Sequence, residues 1–192
     1  PVTVRMAIPR KMASNGNACP LEDGTAPQML ERGFATICNQ FGREVPGMMK
    51  TEVMLAGSYA DCPVMKISEK DSNKFVLLCD GGQVPFVSVV EIFDEGGKTP
   101  PNIHREAYEY FYVMKGEGEA VIAGETVALA PGSYLIVAPG HTHEVRNTGS
   151  GKLYVLTTMV PDERFSDLIK SGIPAELDEE DVAVLSGLSA KD

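Results

Sequence analysis

The chain has no tryptophan and only three histidines among its 192 residues. Any imidazole chemistry must therefore come from His104, His141 and His143. Cysteine is scarce as well: Cys19, Cys38, Cys62 and Cys79 are widely spaced and form no CxxC pair. That excludes zinc-ribbon spacing and argues against a disulfide framework, so reduced thiols are expected. Basic residues are outnumbered 17 to 27, for a net charge of −10. A surface of that sign repels phosphate, which makes nucleic acid and anionic membrane poor partners. No apolar run approaches the ~20 residues that span a bilayer. The opening PVTVRMAIPRK lacks the apolar stretch of a secretion signal, and Pro1 fits removal of an initiator Met. A cytoplasmic protein is expected. There is no G-x-S-x-G nucleophile turn.

What remains is ordinary globular composition, 43% hydrophobic and 23% charged, with 19 Gly and 13 Pro. This excludes a disordered or coiled-coil chain and predicts many turns. The acidity is concentrated at the end, where nine acids and three bases follow from Pro161 onward.

Residues 1–62 have weak periodicity. Pro27–Phe34 predicts one short helix, and the segment as a whole reads as an N-terminal arm packing on a barrel. Residues 63–160 have a different texture. β-rich runs cover Val64–Ile67, Phe75–Cys79, Phe86–Phe93, Glu109–Lys115, Glu119–Ala123, Thr126–Leu129, Ser133–Val137, His143–Asn147 and Leu153–Thr158. Turn pairs such as Pro131-Gly132 and Pro139-Gly140 separate them. Many short, regularly punctuated strands predict an all-β sandwich or barrel. Gly116-Glu117-Gly118 is a hairpin here, since no helix follows to bind phosphate. Residues 161–192 predict short helices in an acidic tail. Phe165, Leu168 and Ile169 share one helix face, and Asp178–Asp181 opens a second helix. Calcium-loop spacing is missing from that acidic run, so a helix start is the reading.

All three histidines fall within the β-rich segment, together with Glu109. The spacing is Asn102-Ile103-His104-x4-Glu109-x6-Gly116, followed by Gly132-x5-Ala138-Pro139-Gly140-x2-His143-x3-Asn147. Alternation along a strand places Glu109, Phe111 and Val113 on one face and Tyr108, Tyr110 and Tyr112 on the other. The tyrosines read foremost as outer packing or a subunit interface, and otherwise as a substrate contact. Glu91, in FVSVVEIF, reads either as inward, a second carboxylate, or as outward and solvated, with the outward reading favoured.

These two segments resemble the paired motifs of the cupin superfamily over about residues 85–160. The departures are Asn102, where the family has its first histidine, and Ala138, with the proline one place later. The resemblance implies a cupin (double-stranded β-helix, or jelly-roll) barrel. It also implies a divalent transition metal held by His104, Glu109 and His143, with Asn102 able to bind through its amide oxygen. Two imidazoles and a carboxylate with open positions suit Fe(II), while Mn, Ni, Zn or Co also fit. His141 is open to three readings: a third imidazole ligand, a substrate-side acid/base, or an exposed loop residue. Either His141 or a tyrosine such as Tyr108 could move a proton.

The function expected on this basis is a metal-dependent enzyme on a small organic molecule, foremost an Fe(II) dioxygenase. A Lewis-acid lyase, isomerase or hydrolase is the next reading, and a non-catalytic binding or sensor protein the third. A homodimer is expected from the family and the tyrosine stripe.

Overall fold

The computed structural model describes residues 49–50 and 54–187. Every described residue belongs to one compact unit. The expected Pro27–Phe34 helix, most of the expected arm, and Cys19 and Cys38 lie outside the described residues. Cys62 and Cys79 carry free thiols.

A short hairpin joins β1 (Met49–Lys50) to β2 (Leu55–Ala56). The barrel follows. Its larger sheet contains β3 (Val64–Lys66), β4 (Asn73–Cys79), β5 (Val87–Phe93), β6 (Tyr108–Lys115), β9 (Tyr134–Val137), β11 (Leu153–Val160) and β12 (Ile173–Pro174). The order across it is β12-β3-β4-β5-β11-β6-β9. The smaller sheet contains β7 (Gly118–Ile122), β8 (Glu125–Leu129) and β10 (His143–Asn147), ordered β10-β7-β8. All pairings are antiparallel. This is the all-β architecture that the strand spacing predicts, in the jelly-roll form that the resemblance implies. β12 goes unpredicted, because two residues ending in proline carry no strand pattern; it pairs with β3 and forms one edge of the sheet.

The burial of β6 alternates as expected: Glu109, Phe111 and Val113 are buried, while Tyr108 and Tyr112 are exposed. The interior holds Phe93, Phe111, Val113, Val137 and Val155 beside Ala120, Leu129 and Val145 of the facing sheet. A second interior cluster holds Phe75, Leu77, Val87, Val89 and Met159. The outer faces of β4, β5 and β11 are also buried, through Val76, Val90, Ile92 and Tyr154. Leu177, Val184 and Leu185 from the tail cover them.

The tail forms α1 (Phe165–Lys170) and α2 (Glu179–Leu185). In α1, Ile169 is buried but Leu168 is exposed, so the expected apolar face is narrower than its spacing suggests. α2 starts as predicted: the Asp178 and Asp181 side chains cap each other's backbone amides. Asp181 is fully buried and accepts hydrogen bonds from Tyr154 Oη and Lys152 Nζ, both at 2.9 Å, and from Lys74 Nζ.

Candidate metal centre

His104, Glu109 and His143 arrive from three elements and two sheets. Glu109 is the second residue of β6, with its side chain turned inward. Its cross-strand partners are Val137 and Met159, both apolar, so its carboxylate stands in a dry setting. His143 opens β10 in the smaller sheet, after the Pro139-Gly140 turn, where Gly140 has φ +80°. His104 lies in the loop before β6. Its carbonyl accepts from the Gly140 amide at 2.7 Å, which ties this loop to the turn.

The two imidazoles converge on one atom. Glu109 Oε2 is 2.9 Å from His104 Nε2 and 2.7 Å from His143 Nε2. The candidate ligand atoms of all three residues lie within 4.8 Å of one another. The rings stand 5.3 Å apart, and Phe111 packs edge-on against His143 at 6.1 Å. Burial alone would raise the Glu109 pKa, but the two imidazoles hold it below the usual carboxylate range. Burial alone would lower the His143 pKa, but Glu109 and a backbone carbonyl raise it.

His143 Nδ1 donates to the carbonyl of His141 at 3.0 Å. That leaves Nε2 to present its lone pair inward when the ring is neutral, the usual arrangement for a metal-binding histidine. His141 thus touches the centre through its main chain. Its own ring is exposed and faces the carbonyls of Ala138 and Pro139, at 3.3 and 3.0 Å from Nδ1. Tyr108 is 56% exposed on the opposite face of β6 from Glu109.

Asn102 sits opposite His143 in an isolated antiparallel bridge, so the two side chains leave the same face. Asn102 Oδ1 is buried and has no hydrogen-bond partner. An orphaned buried oxygen beside three convergent donors fits a divalent cation. The donor set of two nitrogens and one or two oxygens suits a transition metal.

Two residues escaped sequence reasoning. Glu163 accepts backbone hydrogen bonds from Arg105 (3.1 Å), Glu106 and Ala107 (2.7 Å), gripping the loop that carries His104. Its Oε2 also lies 3.9 Å from His104 Nδ1. It is 54 positions from Glu109, so spacing offers no signal for it. Glu91 is the second, and here the expectation is corrected. It is 2% exposed and points into the barrel. FVSVVEIF is buried on both faces because the tail covers its outside, so alternation could not assign a direction.

Asn147, the last anchor of the second motif, is structural. Its amide donates to the carbonyls of Asp94 at 2.9 Å and Gly151 at 2.7 Å, bracing the turn between β10 and β11.

Residues 89–159 match the family model described as Cupin domain. The chain carries a cupin domain. No curated protein matches the chain significantly. Among solved structures, it is similar to a predicted oxalate decarboxylase from Thermotoga maritima. The two share 19% identity with a TM-score of 0.51, over 54% of this chain and 96% of that one. An RmlC-like cupin from Shewanella frigidimarina shares 18% at a TM-score of 0.49, over 60% and 94% of the two chains. The Cnp3 cupin domain of Schizosaccharomyces pombe shares 16% at 0.49, over 62% and 84%. At 19% identity the likeness to the Thermotoga maritima protein is one of fold. No helix among the described residues is long and apolar enough to cross a membrane.

Proposed function

We propose that this cupin domain is a metal-dependent enzyme acting on a small organic molecule, and that its finer class is an Fe(II) dioxygenase. The observation that carries the reading is the convergence of His104 Nε2 and His143 Nε2 on one oxygen of Glu109. Burying one carboxylate between two imidazoles carries a desolvation cost that the pairs need not return, and a bound cation would offset it. A bound divalent transition metal would supply Lewis-acid and redox chemistry, with coordination positions left open for small molecules.

The chain's own residues do the rest. Glu109 supplies the single negative charge of the donor set. The His141 carbonyl fixes the orientation of His143, and Glu163 holds the loop of His104. Phe111 excludes water from one side. Asn102 offers an amide oxygen as a fourth, weaker donor. His141 stands at the exposed rim, where its ring could exchange a proton with an entering molecule. Tyr108, on the outer face, belongs instead to a proposed dimer contact with Tyr112, Tyr134 and Ile136.

The deciding experiment is metal analysis of the purified protein, followed by oxygen uptake of the iron-loaded form with candidate diols and β-diketones. Near-stoichiometric iron with substrate-dependent uptake supports the dioxygenase. A different metal, with turnover but no oxygen consumption, would replace it with Lewis-acid chemistry. Absence of any bound transition metal, with none taken up on addition, would leave a binding protein.

A further inference from the structure

Alternation along β10 puts Glu144 and Arg146 on the outside of the smaller sheet. Their neighbours His143 and Val145 point inward, to Glu109 and to the apolar interior. On β7 the same alternation turns Glu119 and Val121 outward, since Ala120 and Ile122 pack inside. The register sets Glu144 opposite Val121, and Arg146 opposite Glu119. A concavity of about 420 Å³ opens over this outer face, the size of a small-molecule site. The buried Glu144 and half-buried Val121 form its floor. The exposed Pro101, Ala123, Gly124 and Thr142 form its rim.

The charges of this face do not balance. Arg146 Nη2 donates to Glu144 Oε1, and Nη1 donates to Glu119 Oε1 at 3.1 Å. One guanidinium thus serves two carboxylates, and a negative charge is left over. Lys98, opposite Arg146 in an isolated bridge, is exposed and pairs with neither acid. Glu144 is only 8% exposed, yet its Oε2 takes no hydrogen bond from any described residue. A carboxylate oxygen shielded from bulk water and given no donor is costly. A donor that is also a cation relieves both deficits.

The surroundings narrow the choice of cation. A metal ion needs several converging ligands, and the one such cluster among the described residues is His104, Glu109 and His143. Here a single free carboxylate oxygen stands among Pro101, Val121 and Ala123, which are apolar. An anion would meet the surplus negative charge. We propose that this concavity binds a small organic ammonium, whose N–H groups donate to Glu144 Oε2 and the Thr142 hydroxyl while its carbon body lies on Val121, Ala123 and Pro101. The site is on the far side of β10 from the metal centre and does not depend on that reading. His143 borders both, with its ring turned toward Glu109.

The test is an amide NMR titration at pH 7 and low salt with n-butylammonium, using n-butanol and butyrate as controls. The amides of Val121, Gly124, Thr142 and Glu144 should shift and saturate, with a dissociation constant on the order of 1–10 mM for so small a ligand. Butanol has the shape without the charge and should bind about tenfold more weakly. Butyrate should not bind, and added salt should weaken the ammonium. Glu144→Gln should weaken the ammonium about tenfold and leave butanol unchanged. Val121→Lys sets a tethered ammonium opposite Glu144 and should abolish binding in a protein whose spectrum stays folded. The proposal is overturned if the wild type shows no saturable shift, if butanol binds as well as the ammonium, or if Glu144→Gln binds like the wild type. Should Glu144→Gln not fold, Val121→Lys decides, and unchanged binding there overturns the proposal.

Discussion

Asn102 and His143 exchange both backbone hydrogen bonds, each amide donating to the other's carbonyl at 2.9 Å. The residue that departs from the family pattern is thus locked beside a proposed ligand, with its side chain on the same face. Asn102→His should therefore place a third imidazole at the centre and raise metal affinity, on the order of tenfold or more. His143→Ala should reduce bound metal to a small fraction of an equivalent. His141→Ala should retain it, because the His141 contact to His143 is made by the main chain. Isothermal titration with Co(II) or Mn(II) checks all three.

Glu91 should impose its own pH dependence on stability. Its folded pKa of about 8 lies above the ordinary carboxylate value of 4.5. The folded state thus binds the extra proton between those values, and stability falls as pH rises through them. Glu91→Gln should remove that slope, so the variant gains on the wild type by up to a few kcal/mol by pH 8. Urea titrations at pH 5, 6.5 and 8 give the comparison; a constant difference across them would refute it.

Gly116 has φ +89°, and a Cβ there would lie 2.4 Å from the carbonyl oxygen of Lys152. Both the backbone conformation and the close approach exclude a side chain. Gly116→Ala should cost about 1–3 kcal/mol, read as a lower urea midpoint with metal binding intact in the folded fraction.

Asp181→Ala would strip one buried acceptor from Lys74, Lys152 and Tyr154 at once. The expected loss is about 3–5 kcal/mol. Burial alone would raise this carboxyl, but the two lysines hold it below the ordinary value, and Lys152 foremost holds Asp178 at about 2. Lowered folded pKa values mean that this stability is present above the unfolded carboxylate range. It is lost as pH falls through the folded values. Wild-type protein should therefore weaken below about pH 4, and Asp181→Asn should show a shallower acid limb in thermal melts.

The proposed dimer uses the outer face of β6 and β9. Tyr134 is 70% and Ile136 57% exposed, opposite Tyr112 and Tyr110, on a strand at the sheet edge. This face is uncharged in a strongly acidic chain, so a second copy meets it without repulsion. Sedimentation should show a dimer that Ile136→Lys dissociates; a wild-type monomer at all concentrations would refute it.

The barrel was legible because its strands are short and punctuated, and because β6 is buried on one face only. Alternation then grouped Glu109 with Phe111 and Val113 on what is the buried face, and the histidine spacing pointed to the cluster of His104, Glu109 and His143. It failed at β5, where burial on both faces erases the period, so Glu91 was misdirected. Glu163 was invisible for another reason. It acts through backbone amides far away in sequence, which leave no pattern of side-chain types.

In α2, Asp181 caps the first turn and also fills the joint with β4 and β11. The helix cannot unwind its first turn without withdrawing the carboxylate that two lysines and a tyrosine share. Nor can it lift off the sheet while keeping that turn wound as it is. Winding and docking become a single event, so the amides of α2 should exchange with solvent at the pace of the sheet beneath them. The acidic tail is then a clasp on the outside of the barrel, with one residue as its pin.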